Sequence, residues 1–254
     1  MMNTSSLSVT ACAHEPGAPR SSWMRVLASV VTASAVVVAT TIGSAVGASP
    51  AAGDTYTYRI SNGYNNEVRG KIQYRVDKID ADRVAVSVTT DTPAAGAART
   101  EVYTKDGNWL RHPLVNHDQL REYEFAPAYP AYMLPLESGK SWSVRVNAVD
   151  PASGRRNSVR VDGKVLGSER ISTPAGSFDT IKVKRYVYAG DWDGPGFETN
   201  ITEIDWYAPA LGRPVRTEMN SGYLDQDRCD RMACRPIRGD WNVIELVEAS
   251  TAKR

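Results

Sequence analysis

The sequence predicts an all-β protein: a single antiparallel curled sheet or partly open β-barrel, following an N-terminal signal or anchor segment. Three observations predict it. Apolar and polar residues alternate over short runs. Clusters of Gly, Asn, Asp and Pro interrupt those runs at short intervals. No long window carries a clear amphipathic helical stripe.

The first element is residues 1–48. The stretch from Val26 to Val46 has no charged residue, follows Arg20 and Arg25, and runs out into the small residues SAVGASPAAG. A basic region, an apolar run and a small-residue cleavage zone are the parts of a secretory signal, with cleavage expected after Ala48. The competing reading is an uncleaved inner-membrane anchor over residues 26–46, since the run approaches the roughly 20 residues that span a bilayer. Translation can start at Met1 or at Met24, which opens the more ordinary signal MRVLASVV. Val9-Thr10-Ala11-Cys12 resembles a lipoprotein box only superficially, because no basic or apolar stretch precedes it. A periplasmic or secreted location is therefore expected, with membrane contact only through the N-terminal segment if it stays attached.

Residues 49–254 read as one antiparallel β domain. Val84, Val86 and Val88 share one parity in RVAVSV; Trp142, Val144, Val146 and Ala148 repeat this in SWSVRVNA, and Val159 and Val161 in SVRVDG. Ile181, Val183 and Val187 continue it through IKVKRYV. A period of two sends every second side chain to one face, which is the pattern of a half-buried strand. Turn chemistry separates these runs at SNGYNN, KDGN, ESGK, PASG, VDGK, PAGS, GDWDGPG and LGRP. The spacing gives roughly ten to twelve strands, enough for one curled sheet or barrel. The best helical turn lies around Val115–Tyr123, and the last run, Trp241 to Val247, is expected to close the sheet beside an early strand.

Composition excludes some functions. The 254 residues carry 30 Lys+Arg against 29 Asp+Glu, a formal net charge of +1, without the basic surplus of a dedicated nucleic-acid binder. Removing residues 1–48 takes Arg20, Arg25 and Glu15 away and leaves the balance even. Of the 3 Cys, Cys12 falls in the leader, and a four-thiolate zinc cluster is excluded. Cys229 and Cys234, in DRCDRMACRP, then form an even pair in an exported chain, which reads as a disulfide closing a short loop.

Three segments, Pro135-Leu136…Gly139-Lys140…Trp142 in PLESGKSW, TPAGSFDTIKV at 173–183, and DWYAPALGRPVRTE at 205–218, resemble the TapB-like domain-of-unknown-function family of exported bacterial proteins. The resemblance implies an antiparallel β fold, similar to periplasmic lipoprotein-carrier folds, and brings no catalytic residues. The same residues have physical roles of their own. Pro174-Ala175-Gly176 suits a tight turn with Phe178 entering the core after it, and Gly212 turns the chain from Trp206-Tyr207 into Val215–Met219.

Residues with chemical potential are few. His112, His117 and Asp118 in LRHPLVNHDQ are the right types for a two-His-one-carboxylate metal site, but Pro113 breaks any helix between them and loop histidines are the plainer reading. Asp191 and Asp193, and Asp225, Asp227 and Asp230, could bind calcium weakly; neither set matches a Ca²⁺-loop pattern. No G-x-S-x-G elbow or phosphate-binding Gly-rich loop occurs, so no catalytic residue, metal ligand or cofactor is assigned. The most unusual stretch is EYEFAPAYPAYMLPLE at 122–137, which sets Tyr123, Phe125, Tyr129, Tyr132 and Met133 among prolines. Proline cannot donate a ladder bond, so this stretch is expected to be a long connection. It either plugs one barrel end or covers an apolar cavity as a lid, and those five residues are the expected ligand contacts. The functional reading is a noncatalytic exported β protein binding an apolar small molecule or lipid. An envelope module presenting the 122–137 segment to a partner protein is the alternative, and an enzyme built on His112, His117 and Asp118 the second alternative.

Overall fold

In the computed structural model the chain divides into two units, Met1–Gly43 and Ser44–Arg254. The structure describes residues 50–117, 119–190, 199–230 and 233–252, all in the second unit, so the leader of residues 1–48 lies outside the described residues. The side chains of residues 225–230, 233 and 234 also lie outside, and with them the expected Cys229–Cys234 pair and Asp225, Asp227 and Asp230.

Twelve strands follow one another among the described residues: β1 (Thr55–Asn62), β2 (Val68–Ile79), β3 (Arg83–Thr90), β4 (Arg99–Thr104), β5 (Trp109–Asn116), β6 (Gln119–Tyr129), β7 (Ser141–Val149), β8 (Arg156–Thr173), β9 (Gly176–Gly190), β10 (Thr199–Ala208), β11 (Arg213–Asp230) and β12 (Ala233–Ser250). Each pairs antiparallel with its neighbour in sequence, and β12 returns to β1, with Tyr56 opposite Ala249 and Ile60 opposite Ile244. The sheet is a closed up-and-down barrel. Trp241 to Val247 does lie beside an early strand, β1, as the terminal run suggested.

Alternation sets the interior. Tyr56, Tyr58 and Ile60 of β1 and Val84, Val86 and Val88 of β3 are buried, and their odd-numbered or even-numbered neighbours face out. One apolar cluster centres on β5 to β9, with Tyr129, Trp142, Val146, Val161 and Val183; a second centres on β1 to β3, with Tyr58, Ile72, Val86 and Leu246. Trp142 lies across the β8 backbone at Gly163, its cross-strand partner, where a Cβ would fall 2.1 Å from the indole ring. Glycine is required there because the ring occupies the space of a side chain.

Two expectations are corrected. Residues 122–129 belong to a strand, β6, although Pro127 lies within it. The proline is tolerated because the ladder is interrupted there: β5 pairs Arg111 with Glu124 and then Trp109 with Tyr129, and β7 pairs only with Glu124–Ala126. The described residues of Val115–Tyr123 hold no helical turn. They form the β5–β6 hairpin, with His117 at φ 56° in the left-handed region a tight turn requires.

Candidate ligand-binding cavity

The start of β1 and the β4–β5, β6–β7, β8–β9 and β10–β11 connections gather at one end of the barrel. A cavity of about 200 Å³ enters there, between the two apolar clusters. Pro50, Lys105, Gly107, Leu211 and Gly212 form its rim, and Lys105 is exposed. Tyr56, Tyr58, Val76, Val84 and Val86 make one wall; Trp109, Tyr132 and Met219 contribute to the other. The inward parity of β1, β2 and β3 supplies the first wall directly.

A charged network lies across the cavity from that wall. Arg185 of β9 is 1% exposed and contacts Glu203 and Asp205 of β10 through Nη2, at 2.9 and 2.8 Å. Its Nε donates to Glu203 at 3.0 Å and its Nη1 to the Ala131 carbonyl at 3.1 Å. The Tyr132 and Thr217 hydroxyls donate to the two oxygens of Asp205 at 2.7 and 2.6 Å. Every charge here has a partner, as burial requires. Burial works against the charge on Arg185, but Asp205 and Glu203 outweigh it and hold its pKa well above the ordinary value. Burial also raises the carboxyl of Glu203, against the opposing pull of Arg185.

A second network sits on β4 and β5. Glu101, fully buried, accepts from Arg99 Nε at 2.7 Å and from the Tyr103 hydroxyl, and lies 3.5 Å from His112 Nε2. The His112 ring stacks on Trp109 at 3.8 Å, and Trp109 stacks in turn on Tyr129 at 4.1 Å. Burial lowers the His112 pKa from 6.5, with Glu101 opposing. The folded protein therefore holds this proton less tightly than the unfolded chain does. Stability from His112 is complete above about pH 6.5 and declines as pH falls below it. The melting temperature should drop more between pH 7 and pH 5 in the native sequence than in His112→Gln. Parallel pH profiles for the two would contradict this assignment.

Arg213 opens β11 at the cavity mouth. Its guanidinium carbon lies 4.0 Å from the ring centroid of Tyr56, 4.9 Å from Tyr74 and 5.2 Å from Tyr58. Its Nε is buried with no hydrogen-bond partner, and among the described residues no carboxylate lies within ion-pair distance of it. Burial raises the Tyr56 phenol to about 12, with Arg213 pulling the other way, so Tyr56 remains neutral and supplies ring surface rather than counter-charge.

Of the five expected contact residues, Tyr132 lines the cavity. It is 5% exposed, and its backbone N–H donates to Asn108 at 2.8 Å, so the β6–β7 connection is folded into the barrel end as a plug and supplies a wall. Tyr129 packs behind Trp109. Tyr123 and Phe125 are core residues further along β6, and Met133 is partly exposed on the connection beyond Tyr132. The rings of the 122–137 stretch point inward; what it presents outward is Met133 and Leu134.

The histidines do not meet. His112 faces the cavity, whereas His117 lies on the β5–β6 turn at the opposite barrel end, its ring against Tyr223. Asp118, Asp191 and Asp193 lie outside the described residues. Among the described residues no group of His, Cys, Asp and Glu is placed to hold a metal ion.

The charged residues of the interior escaped the sequence reading, although a signal for Arg185 was present. It occupies the inward parity of Ile181, Val183 and Val187, where an arginine implies a buried partner. Glu203 and Asp205 were masked because β10 carries apolar residues on both parities, Ile201 and Tyr207 on one and Ile204 and Trp206 on the other.

Comparison with known proteins places a family match on this half of the barrel. Residues 138–222 match the DUF3108-like family. The match spans β7 to the middle of β11 and includes the 173–183 and 205–218 segments, as well as Gly139, Lys140 and Trp142. It therefore contains Arg185, Glu203, Asp205 and Arg213, while the β1–β3 wall lies outside it. Curated proteins gave no match. Among solved structures, the chain is similar to a "putative lipoprotein" from Parabacteroides distasonis, with 16% identity, TM-score 0.48, and coverage of 80% of this chain and 97% of that one. A "putative exported protein with YmcC-like fold" from Bacteroides fragilis gives 17% identity and TM-score 0.48 over 81% and 99% of the two chains. The hypothetical lipoprotein YmcC from Escherichia coli gives 10% identity and TM-score 0.40 over 78% and 85%.

Proposed function

We propose that the protein is an exported, noncatalytic carrier that holds an apolar small molecule, or one end of a lipid, in the barrel cavity. The cavity itself carries the reading. A filled barrel has its interior packed by side chains, whereas here about 200 Å³ stays open between two apolar clusters, walled by tyrosines and valines and reached from one end. That volume is below the roughly 300–1,000 Å³ typical of drug-sized ligands, which favours a small apolar molecule or a single acyl chain over a larger ligand. Export rests on the leader pattern of residues 20–48, and the TapB-like resemblance of the three quoted segments points the same way. An environment beyond the inner membrane would also allow Cys229 and Cys234 to form the disulfide their even number suggests.

A neutral fluorescent probe, N-phenyl-1-naphthylamine, tests this reading. Its emission should rise and blue-shift on binding, and Val86→Phe, which directs more side chain into the cavity, should weaken binding at least fivefold with the melting temperature little changed. Absence of binding, or equal binding by both proteins, would count against the reading.

A further inference from the structure

We infer that Arg213 is the anchor for an anionic headgroup, so that the ligand is an amphiphile with a carboxylate or phosphate head on an alkyl chain. The inference rests on the cavity-binding reading above and deepens it.

The two arginines of the cavity differ in what they already hold. Arg185 is saturated by Glu203, Asp205 and the Ala131 carbonyl. Arg213 has no carboxylate within ion-pair distance among the described residues, and its Nε is enclosed without a partner. Aromatic faces compensate part of the lost hydration of a guanidinium, but here they leave the enclosed Nε–H donor unused. A planar fork of donors with free capacity is the side chain best matched to the two oxygens of a carboxylate or phosphate. An anion at this point would complete the hydrogen bonding and supply the missing counter-charge.

Position agrees with chemistry. Arg213 directly follows Gly212 of the rim, while Val84, Val86 and Met219 line the interior. A head held at the mouth leaves its chain directed inward along an apolar wall, the reverse of what a cationic amphiphile could tolerate beside an arginine. Lys105 is the other rim cation, but it is exposed and remains hydrated, so an anion gains less there.

Displacement of N-phenyl-1-naphthylamine by ten-carbon amphiphiles tests this on the folded protein. Decanoate and decyl phosphate should compete at least tenfold more strongly than decanol, and decyltrimethylammonium should compete least. The preference for anions should fall to about twofold in Arg213→Gln, persist in Lys105→Gln, and survive in part in Arg213→Lys, which keeps the charge if the glutamine variant fails to fold. A preference for decanoate over decyl phosphate would indicate a fatty acid, and the reverse a lipid ending in a phosphate monoester. Probe binding without any preference for anions in the native sequence would overturn the inference and leave the cavity reading standing. A preference that disappears with Lys105→Gln and not with Arg213→Gln would also overturn it. Failure of the probe and all four amphiphiles to bind would reject the cavity reading itself.

Discussion

Replacing Arg185 with methionine is expected to destabilise the barrel by about 3–5 kcal/mol, the usual result of removing one partner from a buried ionic group. The loss arises less from the missing contacts than from what remains. Glu203 and Asp205 lie on the same face of β10, 5% and 2% exposed, and would face each other without their shared cation. The Ala131 carbonyl would lose its donor as well, loosening the β6–β7 plug. The deficit should depend on pH. Burial already raises the Glu203 carboxyl, and without Arg185 it should rise further. A raised carboxylate pKa means that the folded state binds the proton more tightly than the unfolded chain. The variant should therefore be closest to the native sequence in acid and fall behind as pH rises through the raised pKa. Urea unfolding at about pH 5 and pH 8 measures both the size and the slope. Adding Glu203→Gln to the variant should restore part of the loss, because one buried charge disappears. A deficit below about 1 kcal/mol at pH 8 would show that water reaches this network freely.

Trp142→Ala should cost a similar amount, about 3–5 kcal/mol, for a different reason. The indole covers Gly163 across the β7–β8 ladder and donates from Nε1 to the Pro130 carbonyl at 3.2 Å. Truncation opens a void over bare strand backbone and leaves that carbonyl unpaired at the root of the plug. The reciprocal change, Gly163→Ala, forces a methyl into the ring and should cost about 1–3 kcal/mol. The double variant should lose less than the two single losses together, since the methyl then enters space the indole has vacated. Additive losses in denaturant unfolding would argue that the two residues do not share one packing site.

Much of the architecture was legible because a barrel repeats one rule. Where the inward parity was filled by valine, as in Val84, Val86 and Val88 or Val159 and Val161, alternation alone gave strand, face and burial together. The terminal run beginning at Trp241 was expected beside an early strand, and it pairs with β1. Closure itself was not legible, because register depends on bulges such as those at Thr57/Tyr58 and Trp206/Tyr207 that composition does not mark. Pro127 misled for a physical reason: a missing donor forbids a central ladder position, but β6 places that residue where the ladder is already broken.

The cavity was harder to read. Tyr132 lines the cavity, since an aromatic between prolines needs an interior or a partner and the barrel end supplies the interior. Arg185, Glu203 and Asp205 were not found, since interior charge is legible only when its strand has one unambiguous apolar face. Arg213 looked like part of the LGRP turn, and its role follows from the three tyrosines that β1 and β2 bring around it from far along the chain. Long-range convergence of this kind has no local signature.

Native mass spectrometry of the protein purified from the cell envelope fraction tests whether the barrel carries a ligand. A population should carry one adduct of the mass of an acyl-chain amphiphile, released on denaturation and depleted in Val86→Phe. An unliganded mass for the native protein under conditions that preserve noncovalent complexes, with N-phenyl-1-naphthylamine binding no better than to Val86→Phe, would contradict it.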